Sequence, residues 1–207
     1  MLKLYYAPNT CALASHIALE EAGADYSTVR LDFGADEQRQ PAYLAINPKG
    51  RVPALATDRG VLTETPAMLA FIAQSYPRAE LAPLDDPFAF AAVQAFNSYL
   101  CSTVHVAHAH GRRGYRWADD EASFADMKRK IPQTVGACFE LIEKRFFKGP
   151  WALGEDYSIA DPYLFTIANW LEGDGVDPAS FPRVAEHRAR MAERGSVKAA
   201  LAQEAAN

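Results

Sequence analysis

Apolar positions follow two rhythms along this chain, and the rhythm changes once. Leu2–Tyr6 is a short apolar and aromatic run that predicts a strand. Pro8-Asn9-Thr10 predicts a turn. Ala12, Ala14, Ile17, Ala18, Leu19 and Ala22 then predict a helix that opens near Cys11 and stops at Gly23. Residues 27–31 are β-branched and alternating, a second strand, and strand, helix and strand joined this closely predict a parallel βαβ pair. Residues 34–40 read as a polar loop and 41–46 as a short helix. Residues 52–56 and 60–62 read as two short strands around Thr57-Asp58-Arg59-Gly60. Thr65 suits an N-cap and Pro66 the first helical position, with Met68, Leu69, Phe71 and Ile72 on the apolar face. The predicted order is βαβαββα.

Between residues 76 and 87, Pro77, Pro83 and Pro87 punctuate a stretch that reads as a linker. Beyond it only the helical period appears. Phe90, Val93, Phe96, Leu100 and Val104 predict one long helix over 88–111. Met127, Ile131, Val135, Phe139, Ile142 and Phe146 predict another over 124–147, which Pro132 should kink. Ser158-Ile159-Ala160-Asp161 opens a further helix, with Ser158 capping and Asp161 reaching back. Residues 182–191 and 196–202 read as two last helices. The expected division is an α/β domain at 1–77 and an all-α domain at 84–207.

A chain of 207 residues can bury a core without disulfides, and 49% apolar with 23% charged residues is an ordinary globular mixture, which excludes a disordered or low-complexity chain. A net charge of −5 gives no global attraction to nucleic acid. No apolar run approaches the roughly 18 residues of a membrane span, and the start carries no signal-like segment; a cytoplasmic protein without membrane partners is expected. Cys11, Cys101 and Cys138 form no C-x-x-C pair, so neither a disulfide framework nor a cysteine zinc site is expected. Cys11 falls at a predicted helix start, where amides and the helix dipole favour a thiolate; the alternative is a small buried apolar thiol. Ala14 stands where a resolving cysteine would be, so a reactive Cys11 acts alone or with an external thiol. Cys101 and Cys138 lie in apolar helical patterns and read as core. His105 and His108 share a helix face. With Arg112 and Arg116 they read as a cleft wall that selects an anionic or aromatic acceptor, or else as a solvated basic helix end. Tyr99, Tyr115 and Trp117 are acceptor-pocket or core candidates. No carboxylate joins the histidines nearby, so no metal site is expected there.

Four segments, in order and spacing, carry a family likeness. They are Leu4-Tyr5-Tyr6-Ala7-Pro8 followed by Cys11; Leu44-Ala45-Ile46-Asn47-Pro48-Lys49-Gly50-Arg51-Val52-Pro53-Ala54-Leu55; Leu62-Thr63-Glu64-Thr65 before a helix; and Ser158-Ile159-Ala160-Asp161-Pro162-Tyr163-Leu164-Phe165. Over essentially its whole length the chain resembles the glutathione transferase superfamily, most closely its bacterial beta class. The resemblance implies a thioredoxin-like N-terminal domain, an all-helical C-terminal domain and usually a homodimer. It also implies glutathione as co-substrate, a small electrophilic or disulfide second substrate, no metal, and a detoxifying role. It places Val52, before a cis Pro53, against the cysteinyl part of glutathione, as an extended peptide pairs with a sheet edge. Glu64 and Thr65 would hold the γ-glutamyl end, with Arg51 in the same binding set. Cys11 would lie beside the glutathione sulfur and form a mixed disulfide with it, and His105 would be the site histidine. Val106 stands where the beta class has a lysine. Tyr6, His108, Arg112 and Arg116 are assigned to the acceptor side. A non-catalytic glutathione-binding scaffold is the alternative, and a glutathione-independent isomerase or peroxidase a third reading.

Overall fold

In a computed structural model the described residues are 1–206; Asn207, the last residue of the expected helical domain, lies outside them. The first part is a four-stranded sheet in the order β2-β1-β3-β4. Strand β1 (Leu2–Tyr6) runs parallel to β2 (Tyr26–Arg30), with Leu4 opposite Thr28, and antiparallel to β3 (Ala54–Thr57), with Leu4 opposite Leu55. Strand β3 turns back into β4 (Gly60–Thr63) at the expected hairpin, where the Thr57 hydroxyl donates to the Gly60 carbonyl at 2.8 Å. The parallel and antiparallel pairs therefore follow the predicted pattern.

Helix α1 (Ala12–Glu21) is buried at every position from Ala12 to Leu19. A helix apolar all round must be covered all round. Here β1 and α3 (Thr65–Ser75) cover one side, and α7 (Ala160–Ala168) and α9 (Gly195–Ala206) cover the other. Leu13 and Ile17 pack with Phe165, Met191 and Val197 in this contact. A second short helix, α2 (Pro41–Leu44), bridges β2 and β3.

The remaining helices are α4 (Pro87–Tyr99), α5 (His105–Arg113), α6 (Glu121–Leu141) and α8 (Pro182–Ala192), besides α7 and α9. Each of the two long predicted helices is interrupted. A π turn over Leu100–Val104 separates α4 from α5, and another over Ile142–Phe146 follows α6. A π turn widens the helix by one residue, so Val93, Phe96, Leu100 and Val104 still reach the core although the hydrogen-bond register changes. Pro132 lies inside α6. The linker around residues 76–87 is stitched down rather than loose: Leu81 is buried and its carbonyl accepts from the Ile159 amide at 2.8 Å. Asp161 reaches back as expected, its Oδ2 accepting from the Ser158 amide at 2.7 Å, and the Ser158 hydroxyl accepts from the Ala160 amide at 3.2 Å, although Ile159 is the cap residue of α7. Its Oδ1 accepts from the Ala152 amide at 2.8 Å and faces His187 Nε2 at 2.9 Å, partners that only the tertiary fold supplies. One core runs through both parts, uniting Leu4 and Leu69 with Val93 and Leu164. The cleft described next lies where the C-terminal end of β1 and the start of β3 face α5.

Candidate functional site

One wall of the cleft is built by the sheet. After β1, Asn9 adopts φ 57° and the Thr10 hydroxyl donates to the Ala7 carbonyl at 2.7 Å, which brings Cys11 to the N-terminal cap of α1. The Cys11 thiol points across to the Val52 carbonyl at 3.6 Å. Tyr43 Oη and Asn47 Nδ2 each donate to the Arg51 carbonyl at 2.7 Å, holding the strip just before the cis Val52–Pro53 bond. Among the described residues nothing accepts from the Val52 amide, so this half-buried strip presents a free donor. Helix α3 starts one residue earlier than expected: Glu64, at φ 73°, is the cap residue and Thr65 the first helical one. Thr65 is therefore not an N-cap. It is buried, with its hydroxyl turned toward the Cys11 sulfur. No side chain caps α3, so its first amides are open to an anion. Lys49 Nζ donates to the Thr63 hydroxyl at 2.6 Å and pairs with Glu64.

The expectation of an acidic Cys11 thiol is corrected by the structure. Burial pushes the thiol up to about 11, against the opposing pull of the Thr65 hydroxyl and the Arg113 charge. Cys11 is only 8% exposed, and losing water costs the thiolate more than one helix terminus returns. In the unliganded protein Cys11 is a protonated thiol and a hydrogen-bond donor.

The facing wall comes from α5 and α7. The His105 ring meets Trp170 edge-on at 5.0 Å, and His108 stacks on the same indole at 4.3 Å. Asp174 anchors His108 Nδ1 at 2.8 Å. Burial pulls His105 down to about 3, and His108, Arg113, Arg116 and Arg51 push the same way, so its imidazole is neutral. Arg116 faces the cleft as expected, but Arg112 is exposed and points away; Arg113 takes its place. Helical spacing favoured Arg112, yet α5 ends one residue later, at Arg113. Arg113 leaves the helix at φ −130° and ψ 26°, which turns its side chain inward. Gly114 then packs so closely on α6 that an added Cβ would sit 3.0 Å from a Phe124 ring carbon, fixing the turn. Tyr6 is also corrected: it is fully buried beside His16, with ring centroids 5.6 Å apart, and does not reach the cleft. Cys101 packs against the core but is only half-buried, at the cleft floor, where the buried Tyr163 phenol lies between it and Thr65. Tyr115 and Trp117 sit on the rim, whereas Tyr99 packs on Phe146 at 5.1 Å.

Two hollows result. One, of 150 Å³, lies among Lys49, Glu64, Thr65 and Tyr163; the other, of 190 Å³, lies among Phe33, Arg39, Arg113 and Trp170. Cys11, Arg51, Val52, His105 and Arg116 border both, so the thiol and the imidazole stand at the joint. A ligand thiol placed there has a thiol donor on one side and a neutral base on the other. Arg113 and Trp170 were missed in the sequence. Trp170 lies far along the chain from His105 and carries no local signal, while Arg113 was hidden by the helix end. Among the described residues no group of three or more His, Cys, Asp or Glu could hold a metal, and no helix is long and apolar enough to cross a membrane.

Residues 1–74 match the family described as glutathione S-transferase, N-terminal domain, and residues 121–190 match glutathione S-transferase, C-terminal domain. Glutathione S-transferase GstA of Escherichia coli O157:H7 is 31% identical over 206 residues, covering 98% of both chains. A glutathione transferase homologue from Sulfitobacter, solved with bound glutathione, is 49% identical with a TM-score of 0.95 over 98% of each chain. The beta-class glutathione S-transferase of Sphingomonas chungbukensis is 33% identical with a TM-score of 0.85, again over 98% of each chain.

Proposed function

The chain belongs to the glutathione transferase family, and from that premise we propose how its cleft uses the tripeptide. Glutathione is its co-substrate, and transferase activity, not the role of an inert scaffold, is what its relatives carry. In our reading the cysteinyl part lies along Val52, ahead of Pro53, and pairs with the free amide there. The γ-glutamyl carboxylate takes the open amides of α3 and the Thr65 hydroxyl, its ammonium takes Glu64, and Arg51 takes the glycyl carboxylate. The glutathione sulfur then sits at the joint of the two hollows, next to Cys11.

The observation that carries this reading is the Cys11 thiol 3.6 Å from the carbonyl of the residue whose amide is free. A protonated Cys11 donates its S–H to the glutathione sulfur and stabilises the thiolate there, while neutral His105 accepts a hydrogen bond from the glutathione thiol until its proton leaves to water. The thiolate attacks the electrophile; a carbon–sulfur bond forms and the leaving group departs with its electron pair. With oxidised glutathione the roles reverse. A deprotonated Cys11 attacks the disulfide, forms a mixed disulfide and releases one glutathione thiolate. We further propose the division into domains at 1–77 and 84–207, a homodimer, and a cytoplasmic detoxifying role.

Calorimetry with glutathione and mass spectrometry after exposure to oxidised glutathione test the reading. Cys11→Ala is expected to bind glutathione within about threefold of wild type, to lose the mixed disulfide, and to conjugate about tenfold more slowly. An adduct that persists in Cys11→Ala, or no uptake of glutathione by the wild type, would refute it.

A further inference from the structure

The two hollows differ in their acidic groups. The smaller one holds the Lys49–Glu64 pair beside Arg51 and Arg116, which border both. Among the described residues no aspartate or glutamate lines the larger one, although the chain has 26 acidic residues against 21 basic ones. Arg39, Arg51, Arg113 and Arg116 all face this hollow. Arg39 is partly compensated, with Asp36 at 3.9 Å and the Tyr115 hydroxyl at 3.3 Å. Among the described residues the guanidiniums of Arg51, Arg113 and Arg116 have neither a carboxylate partner nor a hydrogen bond, Arg116 lying only over the Tyr115 ring, and Arg51 and Arg116 both press on the charge of half-buried Arg113. Other guanidiniums have carboxylate partners, Arg129 in Asp126, Arg188 in Glu172 and Arg194 in Glu21. Gathering unpaired guanidiniums on one wall, with Arg113 half-buried among them, opposes folding, and a ligand that brings negative charge relieves it.

Glutathione, in the pose proposed above, brings one carboxylate to this side and gives it to Arg51. Arg113 and Arg116 stand on the opposite wall and remain unmatched. Beside them the Trp170 indole, stacked on His108 and met edge-on by His105, lines the hollow. We propose that this hollow is an acceptor site for an aromatic carboxylate electrophile: Arg113 and Arg116 hold the carboxylate, and Trp170 backs the ring while its reactive carbon faces the glutathione sulfur. The inference rests on the glutathione pose given above. The reaction is aromatic substitution. The sulfur–carbon bond forms at the ring carbon bearing the halogen, the carbon–halogen bond breaks, halide leaves with the bonding pair, and the thiol proton passes to water.

The test compares a chloronitrobenzoate with the corresponding chloronitrobenzamide on the purified protein at saturating glutathione. Each kcat/KM is divided by the rate of free glutathione with the same compound, which removes intrinsic reactivity. The corrected acid-to-amide ratio is expected to be about tenfold or more in favour of the acid. It should fall about tenfold in Arg113→Gln and in Arg116→Gln, and stay within about twofold in Arg112→Gln, whose side chain points away. Calorimetry of each variant with glutathione shows that the fold and the tripeptide site survive. A wild-type ratio near unity, a ratio unchanged in both Arg113→Gln and Arg116→Gln, or no turnover of either compound by a protein that binds glutathione overturns the inference alone. Failure of the wild type to take up glutathione overturns the proposed pose and the inference together.

Discussion

The two walls of the cleft are made of different material. The sheet wall is main chain: a free amide at Val52, the carbonyl that Cys11 meets, and the open amides of α3. The helical wall is side chain: the neutral His105, the His108–Trp170 stack and a group of arginines. Main-chain groups exist at every residue, so the sheet wall is fixed by backbone path and tolerates side-chain change. It suits a ligand that never varies. The helical wall depends on which side chains stand on α5 and at the end of α7, so a few substitutions retune it without disturbing the sheet.

The contrast breaks most visibly where the helical wall is anchored. Asp161 is fully buried and joins Ala152, Ser158 and His187, and α7 carries Tyr163 and leads to Trp170. Asp161→Ala is expected to cost about 3–5 kcal/mol in urea unfolding, since it strips a buried constellation of its only acceptor. A loss below about 1 kcal/mol would show that the wall does not lean on this group. Next in size is the thiol at the joint. Raised from 9.0 to about 11, Cys11 should react with iodoacetamide at pH 7 about a hundredfold more slowly than an exposed cysteine, and its rate should climb about tenfold per pH unit until it levels near 11. Peptide mass spectrometry reads this at Cys11 separately from Cys101 and Cys138. Equal labelling of an exposed thiol and Cys11 at pH 7 would restore the acidic thiol that the sequence suggested.

Smaller effects probe the sheet wall. Because its contact is through the backbone, Val52→Ala should change the glutathione Kd by no more than about threefold, where a side-chain contact would cost tenfold or more. Lys49 and Glu64 are both well exposed, so Lys49→Ala should move the same Kd by less than about threefold, in whichever direction freeing Glu64 for the ligand ammonium tips it. At the far end of the scale, His105 is held down to about 3 and stays neutral from pH 5 to 8, so the conjugation profile should show no histidine break near 6.5. A break there that vanishes in His105→Asn would place the imidazole in a more open setting than the structure gives it.

How far the sequence could be read depended on whether a feature was local. The β1–α1–β2 unit, the hairpin at Thr57–Gly60 and the helix entry at Ser158 each rest on neighbouring residues, and each stands where its pattern placed it, within a residue or two. The Asn47-Pro48-Lys49-Gly50-Arg51-Val52-Pro53 strip was readable for the same reason, as one continuous stretch. Thr65 was misplaced by a single position, because Glu64 takes a backbone conformation that residue type does not announce. Arg112 was preferred to Arg113 because it falls on the His105 face of the helix wheel, whereas Arg113 turns inward only through its non-helical backbone at the end of α5. The interruption of α4 and α5 by a π turn left no mark on the apolar spacing, since the wider turn still delivers Leu100 and Val104 to the core.

The amino-acid pattern by itself determined the element types, the change from sheet to helix near residue 80, and the turn that carries Cys11 to the start of α1. These follow from periodicity, turn residues and caps acting over a few positions. Only the tertiary structure decided that the Cys11 thiol is buried and protonated, that Tyr6 belongs to the core, that Trp170 backs two histidines from another helix, and that unmatched arginines gather on one wall. Desolvation and electrostatic fields sum over everything packed nearby, and no local stretch of sequence contains that sum.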